Sequence, residues 1–412
     1  MSRQRLRLTH LHPSPPAFTK AKKYLILRTC SPAETYAKVA ASLSRLGITR
    51  VARQTGLDCL GIPVWCAFTP NAKSIVIANG KGLDDDSART SAVMEAVERS
   101  IASQAACETM RASTADLRRI GQNFDRLDCL LAPGSNVLQD DEIIDWALAK
   151  DLLTGTYVCL PHEAVTMDRT ILRPRYWQSS DGLASGNTQA EAILHGLLER
   201  VERDALTLWE VTRSPLRYEE RIDPEASGSE MAGLLRRIQQ AQMQIAIFDI
   251  TNDTGIPVAC AMLGPQRLDG RGLRHVDVTL GAGAGLTLEA AAIRAVTEAA
   301  QSRMTFIAGA RDDLFPELYQ RPLSDEHKRA FESQSVASLS DFRLADVRSP
   351  DEALDLILST LQESGQKKLY AVDLTPGWLP VSVVKVVAPD LENPEGERRT
   401  RYGARALSKA LQ

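Results

Sequence analysis

Several familiar signatures are missing from this chain of 412 residues. It contains no G-x-x-x-x-G-K-[ST], and the glycines of 281–285 do not have G-x-G-x-x-G spacing, so neither a P-loop nor a dinucleotide-binding fold is supported. No H-E-x-x-H occurs, and the six histidines (His10, His12, His162, His195, His275, His327) form no nucleophile-base pair readable from spacing. The seven cysteines (Cys30, Cys59, Cys66, Cys107, Cys129, Cys159, Cys260) include no C-x-x-C. They exclude a zinc ribbon or a dense disulfide framework and suit buried, reduced thiols in a cytoplasmic protein. No apolar run approaches the roughly 18 residues of a membrane span. With 49 basic and 52 acidic residues the net charge is −3, too balanced to point to nucleic acid or a membrane surface.

A threefold internal repeat is present instead. Gly82, Gly186 and Gly285 are each followed thirteen residues later by a glutamate: Glu95, Glu199 and Glu298. Each glutamate opens a similar polar ending, Glu95-x-x-Glu98-Arg99, Glu199-x-x-Glu202-Arg203 and Glu298-x-x-Gln301-x-Arg303. Two units also share an opening, Gly61-Ile62-Pro63-Val64 and Gly255-Ile256-Pro257-Val258. A duplicated strand-turn-helix unit accounts for this economically.

Strand patterns interleave with helical ones, which predicts an α/β (α+β) protein built from these units. Residues 1–22 read as a basic, proline-containing tail, 23–60 as a lead-in, 61–390 as the main domain and 391–412 as a C-terminal tail. The pattern places a helix from Ser31 to about Leu46, strands at Val64–Thr69 and Ser74–Ala78, and repeat helices from about Ser87, Thr188 and Thr287. A strand is expected at His275–Leu280, and glycine turns at Gly80-Lys81-Gly82, Ser185-Gly186-Asn187 and 281–285.

On a helix, positions i, i+4 and i+7 form a stripe. The three helices present Ser91, Glu95 and Glu98; Glu191, His195, Glu199 and Glu202; and Arg294, Glu298 and Gln301. A solvated face is the plainer reading of any one stripe, but a solvated face needs no fixed register to a preceding glycine, whereas a common site does. Two converging carboxylates about 5 Å apart at an effective dielectric of about 20 repel by roughly 3 kcal/mol, so a cation must sit between them. Oxygen donors without Cys/His spacing suit Mg²⁺, and glycine turns before helix N-termini suit phosphate. His195 reads as a packing or supporting residue rather than a catalytic base.

At these residues the chain resembles the YcaO superfamily. The likeness rests on Gly80-Lys81-Gly82 with S-A-V-M-E-A-V-E-R from Ser91, G-L-A-S-G-N-T-Q-A-E-A-I from Gly182, L-L-E-R-V-E-R-D-A from Leu197, R-A-V-T-E-A-A-Q-S-R from Arg294 and G-A-R-D-D from Gly309, and it spans roughly 55 to 390. The resemblance implies ATP and Mg²⁺ as cofactors and activation of a peptide-backbone amide as the activity. Glu95, Glu98, Glu199 and Glu202 would hold magnesium, while Ser91, Asn187, Glu191, Arg203, Arg294, Glu298 and Gln301 would contact the nucleotide. Arg303 falls off the stripe and carries less weight.

Azoline-forming members commonly end in a proline-rich tail that this chain lacks, and about 55 residues before the match leave no room for a fused leader-binding domain. A peptide substrate and a separate partner, TfuA-like or leader-binding, are therefore implied, with thioamide formation as the preferred subtype and a homodimer left open. Three other readings stand beside it: an azoline-forming cyclodehydratase, a non-catalytic scaffold binding a peptide or partner, and an ATP-using enzyme acting on something other than a ribosomal peptide.

Overall fold

The structure, a computed structural model, describes residues 27–105, 107–214, 216–224, 228–269, 272–311, 313–339, 344–392 and 402–412. The expected tail at 1–22 lies outside them. Three sheets carry the fold. The first is antiparallel, Arg50–Arg53, Val64–Phe68 and Ile77–Lys81. The second runs Thr279–Ala284, Val258–Pro265, Met243–Asp249, Arg221–Asp223 and Ala337–Ser338, with only the last pair parallel. The third orders Thr109–Ala112, Ile144–Asp151, Tyr370–Asp373, Ser382–Val387 and Leu183–Gly186, with Tyr157–Pro161 also on Ile144–Asp151.

The repeat helices are Asp85–Ala102, Gln189–Val211 and Leu288–Ala308, and each packs on the strand that precedes it. Their starts share one construction. Asp84, Thr188 and Thr287, each two residues after the repeat glycine, cap the helix by accepting from the N–H of Ser87, Glu191 and Ala290. Glu95, Glu199 and Glu298 then lie eleven residues past their caps (84 to 95, 188 to 199, 287 to 298).

The glycines have a different purpose from the one their turn-like composition suggests. The runs read as glycine turns lie largely in strands: Gly80 and Lys81 end Ile77–Lys81, Ser185 and Gly186 end Leu183–Gly186, and 281–284 belong to Thr279–Ala284. A Cβ on Gly82 would sit 2.5 Å from Ser87 Cβ, one on Gly186 2.5 Å from Glu191 Cβ and 2.6 Å from Ala192 N, and one on Gly285 3.2 Å from Ala290 Cβ. Glycine therefore lets the chain end of each strand lie flat against the first turn of its own helix, and that contact sets the register of the glutamates. Gly186→Ala is expected to destabilise the protein by about 3 kcal/mol or more, because this overpacking meets backbone as well as side chain. Urea unfolding measures it, and an unchanged midpoint would show that strand and helix can separate freely.

Other boundaries differ from expectation. The third strand of the first sheet runs Ile77–Lys81 rather than Ser74–Ala78, because Val64 pairs with Lys81 and its connection to Val64–Phe68 is longer than a tight hairpin. The strand expected at His275–Leu280 starts at Thr279 after a short 3-10 turn. The first helix stops at Ala40, short of Leu46, and the chain continues to Gly47 as turns. Of the cysteines, Cys66, Cys159 and Cys260 are buried, whereas Cys59 and Cys129 are exposed, so burial accounts for only some of the seven free thiols.

The second repeat helix is central. It buries Leu194, Leu197, Leu198, Val201 and Ala205 and packs against Ser382–Val387, Pro350–Glu363 and a C-terminal helix, Ala404–Ala410. That last helix lies within 391–412, the segment read as a tail, and it is docked by charge. Arg405 reaches Asp204 at 2.8 Å and 3.0 Å and Asp253 at 2.6 Å and 2.9 Å. Glu392 accepts from the N–H groups of Gly403 and Ala406, satisfying donors at the helix start.

Candidate active site

The register set by the glycines brings the polar stripes of the three helices to one place. Glu98 is buried and accepts from Ser185 Oγ at 2.6 Å, linking the first helix to the strand of the second unit. Glu199 Oε2 accepts from Gly182 N–H at 3.2 Å, and Arg203 Nη2 lies 3.8 Å from its other oxygen. Glu298 of the third helix forms a close ion pair with Lys81 of the first unit. Glu95 accepts from Asn79 N–H at 3.2 Å and pairs with Arg99 on its own helix.

Electrostatics tie these groups together. Burial, and then Glu95, pushes the Glu98 carboxyl up to about 8 against the hydrogen bond from Ser185. Glu199 is raised well above the carboxylate range by burial, with Asp181, Glu202 and Glu98 adding repulsion that Arg203 only partly offsets. Glu202 is raised by burial and by Glu298. Glu298 itself is held below the usual range: burial opposes ionisation, but Lys81, Arg203 and Arg294 outweigh it. The arrangement thus holds one neutralised carboxylate and three that favour a proton in the absence of another cation.

A second group stands on the stripe of Glu191. Its Oε1 accepts from Thr29 N–H at 2.5 Å and Thr29 Oγ1 at 2.6 Å, its Oε2 accepts from Asn187 N–H at 2.8 Å, and Arg28 Nη1 lies 3.6 Å away. Asn187 is also engaged by Thr35 and by Lys38, at 3.0 Å and 3.3 Å. His195 is kept neutral, well below its ordinary range, by burial and then by Arg28, Arg294 and Lys81. Arg294 Nε is buried without a hydrogen-bond partner. Ser91 is half-buried one turn before Glu95, and Gln301 is half-buried with its carbonyl taken by Thr305 Oγ1. Arg303 turns elsewhere and donates to Asp58 at 3.1 Å.

Two cations here were not singled out from the sequence. Lys81 could have been found, since it stands between Gly80 and Gly82 at the strand end that fixes the helix register. Arg28 had no such signal: it sits 163 positions before Glu191 in a segment that read as a lead-in.

Among the described residues no three His, Cys, Asp or Glu side chains are already spaced to enclose a metal ion. The donor set nonetheless fits a hard divalent cation. Glu98 and Glu202 are buried and Glu199 half-buried, all three are oxygen donors, and the cations near them, Arg99, Arg203, Arg294 and Lys81, do not bring their carboxyls back to the ordinary range.

No helix among the described residues is long and apolar enough to cross a membrane. The family described as YcaO cyclodehydratase, ATP- and Mg²⁺-binding, matches residues 79–392. A protein from the tfuA 3′ region of Rhizobium leguminosarum bv. trifolii is 38% identical over 400 residues, covering 92% of each chain. A protein of Methanothermobacter thermautotrophicus is 34% identical over 378 residues, covering 88% of this chain and 94% of its own. Among solved structures, YcaO from Methanopyrus kandleri bound with AMPPCP and Mg²⁺ superposes with a TM-score of 0.71 at 22% identity, over 91% of this chain and 95% of that one. A heterocyclase in complex with substrate and cofactor gives 0.69 at 20% identity, over 89% of this chain and 53% of that one. These two share the fold, and the match to residues 79–392 together with relatives above 30% identity places this chain in the YcaO family.

Proposed function

We propose that this protein uses ATP and Mg²⁺ to activate a peptide-backbone amide by phosphorylation, and that its product is a thioamide. The observation that carries the first part is the convergence of Glu98, Glu199 and Glu202, whose carboxyls stay raised although Arg203, Arg294 and Lys81 stand near them. Glu95, Glu98, Glu199 and Glu202 would hold magnesium, which supplies charge neutralisation for the triphosphate. Ser91, Asn187, Glu191, Arg203, Arg294, Glu298 and Gln301 would contact the nucleotide. Phosphoryl transfer asks for positioning and electrostatic stabilisation more than covalent help, and these residues, Asn187 apart, sit within three packed helices.

In the reaction a nucleophile adds to the amide carbonyl, the carbonyl oxygen becomes an oxyanion and takes the γ-phosphoryl group, and that oxygen then leaves as phosphate. With sulfide as nucleophile the C–O bond is replaced by C–S and a thioamide results. With a neighbouring Cys, Ser or Thr side chain the same sequence closes an azoline, the second reading. The relative from the tfuA 3′ region supports the first, together with a TfuA-like partner protein. The family's description as cyclodehydratases supports the second.

Reconstitution with ATP, Mg²⁺, sulfide, the candidate partner and a precursor peptide, followed by mass spectrometry, separates them. Exchange of one oxygen for sulfur is the expected outcome. Loss of one water would establish the azoline reading instead, and ATP binding without any change to the peptide would favour a different acceptor.

A further inference from the structure

The first and third repeat units are built alike at the strand that leads to the glycine, and they differ at one hydrogen bond. Gly82 donates its N–H to the carbonyl of Pro63 at 3.3 Å, and Gly285 donates to that of Pro257 at 3.0 Å. These bonds fix which residues face the neighbouring strand, because opposed residues in an antiparallel ladder alternate between bonded and non-bonded pairs. In the first unit Gly80 and Ala78 bond to Val64–Phe68, while Lys81, Asn79 and Ile77 turn their N–H and C=O groups outward. In the third, Gly283 and Gly281 bond to Val258–Pro265, and Ala284, Ala282 and Leu280 turn outward. Both strands stand at the edge of their sheets, so no further strand covers these groups. Ala282 therefore occupies the place of Asn79, three residues before the repeat glycine.

The outward N–H of Asn79 is taken by Glu95 at 3.2 Å, sixteen residues further on. In the second unit Glu199 likewise accepts from a backbone N–H, that of Gly182, at 3.2 Å. The counterpart for Ala282 is Glu298, again sixteen residues on, but Glu298 is paired with Lys81. Among the described residues the Ala282 N–H finds no acceptor, although Ala282 is 1% exposed and a buried backbone donor without a partner is rare and costly. A second unspent donor stands at the same edge. The third repeat helix lies over this strand so closely that a Cβ on Gly281 would sit 2.7 Å from the carbonyl carbon of Glu298 and one on Gly283 2.5 Å from Arg294 Cβ, and Arg294 Nε is buried without a partner.

We propose that the backbone N–H of Ala282 binds a phosphate oxygen of the nucleotide. In the two sister units the atom on such an N–H is an anionic oxygen of the protein itself. In the third unit the protein supplies none, so the anionic oxygen that fits is one brought by a ligand, with Arg294 and Lys81 beside it to balance its charge. A donor fixed in a strand is already aimed and needs no reorganisation when the charge arrives. The side chain at 282 plays no part in this, which is why no pattern of residue types announces it.

This inference rests on the reading of the site as a nucleotide site. The test places lactic acid at position 282 of the full chain, and separately glycolic acid at position 283, each turning one N–H into an ester oxygen, and titrates AMPPCP and ADP with Mg²⁺ calorimetrically. The ester at 282 is expected to weaken AMPPCP about tenfold or more, the scale for a hydrogen bond to a charged group, while the ester at 283 binds within about threefold of the parent. ADP held as tightly as by the parent assigns the oxygen to the terminal phosphate, and ADP weakened equally assigns it to an earlier one. The same factor should appear when the ester at 282 is made in Glu298→Ala; its disappearance there would show that Glu298 takes the N–H on binding and overturns the proposal. Urea unfolding tests the vacancy, since the ester at 283 loses a ladder bond and should lower the midpoint more than the ester at 282. An equal or larger loss at 282, or AMPPCP bound as by the parent, overturns the proposal. Failure of the parent to bind AMPPCP overturns the nucleotide reading itself, and this inference with it.

Discussion

Replacing Glu199 and Glu202 together by glutamine is expected to lower ATP turnover by about a thousandfold or more, the scale for removing preorganised electrostatic contacts at a reacting phosphoryl group. The unliganded protein should meanwhile be as stable as the parent or more so. Both carboxyls are pushed up by burial and by like charges around them, so the glutamines retain the shape and remove the repulsion. Loss of function paired with unchanged or raised thermal stability separates a binding role from a packing role, since a packing residue loses both together. Calorimetric titration of ATP with Mg²⁺ into parent and double variant, beside thermal unfolding of each, reads the two quantities. Full ATP consumption by the variant would sink the glutamate-magnesium assignment, and failure of the parent to bind nucleotide would strengthen the scaffold reading unless a partner restores binding.

Much of this site could be read from the chain because register was written into glycine. A glycine two residues before each cap and a glutamate eleven residues after it form a local pattern, and local patterns survive without knowledge of the fold. What the pattern could not tell was why glycine is there. Gly80, Gly281 and Gly283 lower strand propensity and read as turns, yet each lies in a strand, because a helix backbone occupies the space a Cβ would need. The same gap hid the cations. Lys81 meets Glu298 across 217 positions and Arg28 meets Glu191 across 163, and no periodicity within a helix reports a partner on another element. Arg303 is the converse case: its match to the repeat was real in sequence, but it lies off the helical stripe and donates to Asp58.

The metal-free protein is expected to lose stability as pH rises from about 6.5 to about 9, contrary to the usual behaviour of paired carboxylates. Glu98 sets the sign. Its folded value, about 8, lies above the ordinary 4.5, so the folded protein binds the extra proton between those values. Its contribution is full below about 4.5 and disappears as pH rises through about 8, at about 1.4 kcal/mol per pH unit and no more than roughly 5 kcal/mol in all. Glu199 and Glu202 act in the same direction. Glu191, Asp181 and Glu298 are depressed, so their contributions fade only as pH falls below the ordinary carboxylate range, and His195 and His327, lowered by burial, oppose the slope only below the ordinary 6.5, which leaves the range above it to the raised group. Saturating Mg²⁺ with AMPPCP should flatten this slope, because a cation that replaces the protons stabilises more as pH rises and binding releases protons. Thermal unfolding across that range with and without the ligands checks the slope, and titration in buffers of different ionisation enthalpy counts the protons. A metal-free melting temperature that does not fall with pH would mean that Glu98 is already ionised and compensated from within the protein, and the buried carboxylates would then have no call for a cation.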